Sequence, residues 1–445
     1  MTVRNAEGRS LRSDARTVGM LALLASVLPL NLAVTGLALL RGLVAPPGRA
    51  AAAEPRTILI SGGKMTKALA LARSFHAAGH RVVLVESARY RFTGHRFSRA
   101  VARFHVVPLP QDPGYADALV EIVRSEGVDV YVPVCSPASA FYDSAAKKAL
   151  EEYCEVLHVD PETLVKLDDK AEFAATAASL GLRVPESHRI TRPEQVNEIV
   201  DGRDTTFVLK SIPYDPVRRL DLTPLPRPTP AQTRAFADAL PISDDHPWVL
   251  QEFVAGQEYC THSTVRGGRV QVHACCESSA FQINYAMVDD PAIEAWVTRF
   301  VGALGVTGQA SFDFIRSDDG TVHAIECNPR THSAITMFYD HPEVAQAYLA
   351  DLPDDRPAVV PTATSRPTYW IYHEVWRLLT QPARRHRLGV IARGKDAIFD
   401  WSDPLPFLLV HHLQIPSLLV DSLRRGAGWL RIDMNIGKLV EPAGD

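Results

Sequence analysis

A chain of 445 residues has room for two or three packed units plus tails. Its 47 Lys and Arg stand against 51 Asp and Glu, a formal net charge of -4, which excludes bulk attraction to nucleic acid. The six cysteines (Cys135, Cys154, Cys260, Cys275, Cys276 and Cys327) show neither a C-x-x-C pair nor the Cys/His spacing of tetrahedral zinc, and read as reduced thiols of a cytosolic compartment.

Residues 1–17 form a basic tail with Arg4, Arg9, Arg12 and Arg16. Val18 to Leu40 carries no charge and, at about 1.5 Å rise per residue, is long enough as a helix for the roughly 30 Å hydrocarbon layer of a membrane. A transmembrane or interfacial helix is expected over 18–43. Basic residues on both flanks leave its orientation open, and Pro29 and Asn31 also allow a kinked or re-entrant path. A cleaved signal ending at Ala51-Ala52-Ala53 is the rival reading, against which the run is longer than a usual signal core. The Ala- and Pro-rich stretch 44–55 reads as a linker.

Over 56–145, Thr57–Ser61, a Gly62-Gly63 turn, helical spacing at Thr66–Ala77 and the strand Arg81–Glu86 make a βαβ opening. Phe104–Pro108, Tyr115–Ser125 and Val128–Val134 continue the alternation, which predicts an α/β unit with a parallel sheet. From about Ala145 the pattern changes, and 146–352 is expected as an α+β unit with a helix at Lys170–Leu180. Its expected strands are Phe207–Lys210, Trp248–Phe253, Tyr259–Val265, Val270–Cys276, Gly308–Ile315 and Val322–Glu326, mostly antiparallel by their short connections. Residues 353–445 follow an acidic, Pro-rich linker and read as a helical extension. It contains the basic run Arg384–Arg387 and the apolar stretch Pro406–Val420, which either packs on the core or lies on a membrane surface, packing being preferred.

The residues most suggestive of chemistry lie on one expected hairpin. Strand alternation puts Glu326 and Asn328 on one face, with Asp313 presented beside them by the preceding strand: three hard oxygen donors of the kind magnesium takes together with nucleotide phosphates. Arg330 continues that face and suits charge on a transferring phosphoryl group. Trp248–Glu258 (WVLQEFVAGQE) is an apolar strand running into an exposed turn, fit for a purine slot, with Glu258 placed for a ribose. Lys170 and Lys210 are candidate phosphate contacts, each weak when taken alone. Ser61-Gly62-Gly63-Lys64, at a strand-to-helix junction, is as fit for a bare turn as for an anion, and lacks both P-loop and dinucleotide spacing. Ser136, Ser139, His332 and Ser333 give no defensible nucleophile and base pair.

Taken in order, Lys170, Lys210, QEFVAGQE, the Asp313 strand and ECNPR resemble the ATP-grasp superfamily. SGGKMTKALALARSFHAAGHRVVLVE, GHRFSRAVARF, VDVYVPVCSPASAFYDS, SIPYDPVRRLDLT, SSAFQINY and AIECNPRTHSAITMFYDHPEVAQAYL further resemble the ATP-grasp enzymes of mycosporine biosynthesis, which join glycine to 4-deoxygadusol. The resemblance runs from about Arg56 to Leu349, with the apolar segment before it similar in character. It implies an ATP-grasp fold behind an N-terminal pre-ATP-grasp unit, and a ligase that forms a C–N bond with ATP and Mg2+, releasing ADP and phosphate. It further implies Asp313, Glu326 and Asn328 as magnesium ligands, Arg330 as the catalytic cation, and Lys170 and Lys210 on the phosphates. Glu252 and Val254 would meet adenine through their backbone and Glu258 the ribose. One departure is plain: the usual glycine-rich flap is replaced by Ser211–Arg219, whose Arg218 and Arg219 would reach the phosphates or the acceptor by side chain. Lys64, Thr331, His332 and Ser333 are the expected acceptor contacts. Small-molecule substrates, attachment to the cytosolic face of a membrane and no nucleic acid are the expected partners. A carboxylate–amine ligase working through an acyl phosphate is the alternative. A membrane-tethered nucleotide-binding protein without turnover is the rival from another class.

Overall fold

The computed structural model describes residues 11–441, apart from 47, 135, 214, 216, 217, 219, 220, 279–283 and 383. The charge-free segment is helical, as helix α1 (Leu11–Val44), with Pro29 inside it.

Strand and helix then alternate: β1 (Thr57–Ile60), α2 (Thr66–Ala77), β2 (Arg81–Ser87), β3 (Arg103–Val107), α3 (Tyr115–Glu126), β4 (Val130–Val132), α4 (Pro137–Leu150) and β5 (Glu155–Val156). The strands form a parallel sheet in the order β3-β2-β1-β4-β5. Ile58–Ile60 and Val82–Val85 are buried without alternation, as a sheet covered by helices on both faces requires. The sheet corrects the expected boundary at 145. Glu155 and Val156 pair with Val130 and Tyr131, so the first unit runs through α4. Helix α4, which spans that boundary, packs with this sheet: its Asp143 accepts hydrogen bonds from Tyr115 and Tyr131, both at 2.7 Å.

The second unit holds α5 (Pro161–Asp168), α6 (Lys170–Ser179), β6 (Ser187–Ile190), α7 (Glu194–Val200), β7 (Phe207–Ser211), α8 (Pro230–Asp238) and β8 (Trp248–Glu252). It continues with β9 (Gln257–Arg266), β10 (Arg269–Glu277), β11 (Asn284–Tyr285), α9 (Pro291–Leu304), β12 (Gly308–Arg316), β13 (Val322–Asn328) and α10 (Val344–Leu349). Two antiparallel sheets result, β6-β8-β7 and β10-β9-β12-β13. Behind the larger one, Phe173 of α6, Trp296 and Phe300 of α9 and Phe312 of β12 make an aromatic core with ring centroids 5.1 to 6.2 Å apart. That packing fixes β12, and with it the exposed edge of the hairpin, as a rigid support.

The C-terminal region is not purely helical, as was expected over 353–445. It comprises β14 (Thr368–Tyr369), α11 (Ile371–Thr380), α12 (Arg384–Arg393), β15 (Lys395–Asp396), α13 (Leu405–Leu409), a π-helical turn at Val410–Gln414, α14 (Ile415–Arg425), β16 (Arg431–Asp433) and β17 (Lys438–Val440). β14 pairs with β11 and β15, and β16 with β17. Strands of two residues leave no legible alternation, so their pairing is set by tertiary contacts. Of the two readings for Pro406–Val420, packing is the one realised: Phe407, Val410, Ile415, Leu418 and Leu419 are buried. Gln414 Oε1 accepts from Gly94 N at 2.9 Å and from Thr93 Oγ1 at 3.1 Å, and a Cβ on Gly94 would lie 2.3 Å from Val410 N.

Candidate active site

Register on the β12–β13 hairpin sets Asp313 directly opposite Glu326, with a bulge just after Asp313. Asn328, two residues beyond Glu326, shares its face. Its Nδ2 donates to Asp313 Oδ2 at 3.2 Å and to Glu326 Oε1 at 3.3 Å. Burial raises both carboxyls. Lys170, then the hydrogen bond with Asp313, then Lys210 outweigh burial at Glu326 and hold it below the usual carboxylate range, whereas burial and the Glu326 charge push Asp313 well above it. Two carboxylates this close ionise in sequence, and a divalent cation would relieve the repulsion between them. On that chemistry the donor set fits magnesium: two carboxylates and an amide, short of a protein-only cage. Among the described residues there is no group of three His, Cys, Asp or Glu side chains fit to hold a metal.

Two lysines face the carboxylates from different elements. Lys170 opens α6, whose first turn is capped by Asp169 accepting from Ala171 N at 2.9 Å and Glu172 N at 3.1 Å; its Nζ lies 3.6 Å from Glu326 Oε2. Lys210 stands on β7, its pKa lowered by burial against the pull of Glu326. Its Nζ donates to Gln251 Oε1 at 3.0 Å, and Gln251 Nε2 donates to Ile325 O at 3.2 Å, which ties the small sheet to β13. Gln251 was missed from sequence. Alternation along WVLQEF was the available signal, since it sets Gln251 on the face opposite Leu250.

Arg330 touches Asn328 Oδ1 and pairs with Asp168 at 3.5 Å, a partner also not foreseen. Glu252 ends β8 with its backbone N–H committed to Glu186 O at 2.8 Å. Val254 follows in the loop to Gly256, where a Cβ would lie 2.0 Å from Arg316 O, so only glycine fits. Glu258 is exposed on β9, within electrostatic reach of Lys210. Arg218 is tied locally to Asp215 at 3.2 Å, and Arg219 lies outside the described residues.

The expected acceptor contacts divide. Gly62 adopts φ 67° where a Cβ would meet Val134 O at 2.1 Å. The following N–H groups are all occupied: Gly63 by Val85 O at 3.1 Å, Lys64 by Glu86 Oε2 at 3.0 Å, Met65 by Gly62 O at 2.8 Å and Thr66 by Asn435 O at 2.9 Å. The turn is therefore not a backbone anion cradle. What Lys64 offers a ligand is its ammonium, which lies 3.7 Å from Glu86 and 4.1 Å from the centre of the Tyr90 ring. Thr331 is corrected as a substrate contact. It is buried, its hydroxyl donates to Gln309 at 2.7 Å and its carbonyl accepts from Lys67 Nζ at 2.5 Å. His332 packs edge-on against Tyr285 at 5.3 Å, and Ser333 Oγ donates to Asn435 Oδ1 at 2.9 Å. Ser136 and Ser139 cap α4 reciprocally, which gives them a structural task. None of the candidate residues lines the cavity of about 890 Å³ that opens beside Arg56, Arg73, Tyr339, Lys395 and Asp400.

Two antiparallel sheets facing one another across this lysine and carboxylate groove, behind a parallel-sheet unit, are the ATP-grasp fold. Among solved structures the chain is similar to an N5-carboxyaminoimidazole ribonucleotide synthetase in complex with ADP, at TM-score 0.53 and 16% identity over 72% of this chain and 81% of that one. It is also similar to a biotin carboxylase–β,γ-ATP complex from Campylobacter jejuni, at TM-score 0.51 and 14% identity over 68% and 72%. A third is the N5-carboxyaminoimidazole synthetase of Staphylococcus aureus with ADP, at TM-score 0.50 and 15% identity over 69% and 80%. At these identities the likeness is one of fold. No protein-family model matches the chain, and no curated protein matches it in sequence.

Proposed function

We propose that this protein is an ATP- and Mg2+-dependent ligase that joins glycine to 4-deoxygadusol, giving mycosporine-glycine, ADP and phosphate. The observation that carries the ligase reading is the groove itself: Asp313, Glu326 and Asn328 clustered on one hairpin, with Lys170 3.6 Å from Glu326 and Lys210 facing them from the opposite sheet. Solved structures of this fold hold ADP or ATP, which supports the same ligand here. The finer reading rests on the sequence stretches named above. Three of them, around Lys64, Tyr285 and His332, converge in space on Asn435 or on one another, which supports their acting as one unit.

In this reading Asp313, Glu326 and Asn328 hold magnesium, which supplies charge stabilisation to the phosphoryl group when bound. Lys170, Lys210 and Arg330 orient the triphosphate and spread the charge of the transferring group over fixed cations. The enol oxygen of the acceptor attacks the γ-phosphorus as the bond to the bridging oxygen of ADP breaks. The glycine amine adds to the phosphorylated carbon and phosphate then leaves with the C–O bond, the amine losing a proton, to leave a conjugated enaminone.

The test is an absorbance scan of the full chain in detergent with 4-deoxygadusol, glycine, ATP and magnesium, with ADP counted in parallel. A red-shifted band needing ATP and glycine together, with one ADP per product, is the expected result. ADP release only with a carboxylate and an amine would move the protein to ligases working through an acyl phosphate. ATP hydrolysis at background with every acceptor, or unchanged in Glu326→Ala, would leave a nucleotide-binding protein without turnover.

A further inference from the structure

Helix α1 is segregated in the sense opposite to a water-facing helix. Its polar residues Thr17, Asn31 and Thr35 are buried, while Leu23, Leu30, Leu37, Leu40 and Leu43 are 53% to 80% exposed. Asn31 Nδ2 donates to Tyr372 Oη at 2.7 Å and meets His412 Nε2 at 2.8 Å. Thr17 accepts from Trp429 Nε1 at 2.9 Å, and Arg16 lies 3.9 Å over the Trp429 ring. A helix at a water boundary turns its leucines in and its polar side chains out. Polar side chains turned toward protein and leucines turned outward are the arrangement lipid selects.

Contacts with the body run nearly the whole helix, from Arg16 at Trp429 through Asn31 to Arg41, which lies 5.8 Å over the ring of Trp401. The helix thus lies along the C-terminal region for most of its roughly 50 Å. A crossing would take α14, with Asp421, Arg424 and Arg425, into the hydrocarbon. The apolar surface also continues beyond α1. Val375, Trp376 and Leu379 of α11 stand three, four and seven residues after Tyr372, the residue that holds Asn31, so they share its helical stripe, and all three are exposed. α12 adjoins α11 through Arg387, 3.4 Å from Glu374, buries no residue, and exposes Arg384 and Arg385.

We propose that α1, α11 and α12 form one composite face that docks in the plane of an anionic bilayer, independently of which acceptor the active site uses. The leucines of α1 and Trp376 and Leu379 of α11 enter the acyl boundary, and the arginines of α12 meet lipid phosphates. The bilayer is chosen over a second copy of this chain by charge: an arginine cluster beside an apolar strip complements a phosphate-bearing surface, not its own image.

The experiment is flotation of the full chain, diluted from detergent, with vesicles of phosphatidylcholine alone or mixed with phosphatidylglycerol. Binding several-fold stronger to the mixed vesicles is expected. The pairs Arg384→Glu with Arg385→Glu, and Trp376→Ser with Leu379→Ser, should each lower it several-fold while the far-ultraviolet circular dichroism stays unchanged. Flotation indifferent to both pairs would overturn the composite face in favour of α1 acting alone. Absence of flotation with a defined oligomer in sedimentation would assign the face to a second copy.

Discussion

Asn328 donates to Asp313 and to Glu326 at once, at 3.2 and 3.3 Å, and so ties two carboxyl side chains together on one hairpin. An arrangement that keeps carboxylates in mutual repulsion persists where a ligand relieves it. Glu326→Gln removes the stronger acid of the pair and Asn328→Ala the amide that bridges them. Each is expected to lower kcat/KM for ATP roughly a hundred- to a thousand-fold, with the magnesium concentration for half-maximal ADP release shifted upward. Thermal stability should fall modestly in Glu326→Gln, because Lys170 and Lys210 lose the carboxylate that the fold keeps ionised. A collapse of the fold in that variant would assign the pair a structural task instead.

Gln251 provides a second test. It joins Lys210 at 3.0 Å to Ile325 O at 3.2 Å, and it is 2% exposed. Gln251→Ala leaves a buried ammonium and a carbonyl without this partner, at a cost of about 1–3 kcal/mol. The expected result is a lower midpoint of thermal unfolding together with a KM for ATP raised on the order of tenfold. Gln251→Glu should bring the ammonium a charged partner but leave Ile325 O without its donor, so stability recovers in part at most and KM does not recover, since a carboxylate would compete with phosphate for Lys210.

The chain was legible where chemistry and periodicity coincide. Asp313, Glu326 and Asn328 sit in a hairpin whose strands alternate, so the face they share follows from spacing alone. Lys170 and Lys210 carry no such signal, and only tertiary packing brings α6 and β7 to the same groove. The boundary at 145 failed because α4 looks the same from either side until β5, two residues long, pairs with β4. Thr331 is expected from sequence as an acceptor contact, yet its hydroxyl is spent on Gln309. The C-terminal contribution was illegible in principle: Ser333 and Asn435 are 102 residues apart, joined by a hydrogen bond that no local pattern encodes.

On the proposed reading, a substitution at that pairing should act on one substrate and not the other. Asn435 bonds Ser333 Oγ through its side chain and Thr66 N through its carbonyl, beside the residues proposed to meet the acceptor. Asn435→Ala keeps the backbone bond and frees Ser333. Its KM for the acceptor is expected to rise several-fold with the KM for ATP unchanged, measured by ADP release at saturating levels of the other substrates. An equal rise in both would mean that the C-terminal hairpin supports the whole site rather than one pocket.

Acid should loosen the docking of the C-terminal region. His95 is buried beside Gly63, with Nδ1 3.0 Å from Gly63 O and no partner on Nε2, the pattern of a neutral ring. Burial drives its pKa from 6.5 to about 4, and that of His411, whose Nδ1 meets Phe407 O at 2.7 Å, from 6.5 to about 3. A folded-state pKa below the unfolded one means that the unfolded chain binds more protons in between, so stability rises with pH across that window. Read downward, it is intact above pH 6.5 and lost progressively as pH falls through about 4, by on the order of 3 kcal/mol for His95 alone. Thermal unfolding followed from pH 7.5 to 4 on the full chain is expected to show a falling midpoint below pH 6.5. His95→Asn should flatten that slope even if its midpoint at pH 7.5 is lower. A slope the same in the variant and the parent would assign the acid sensitivity to other groups.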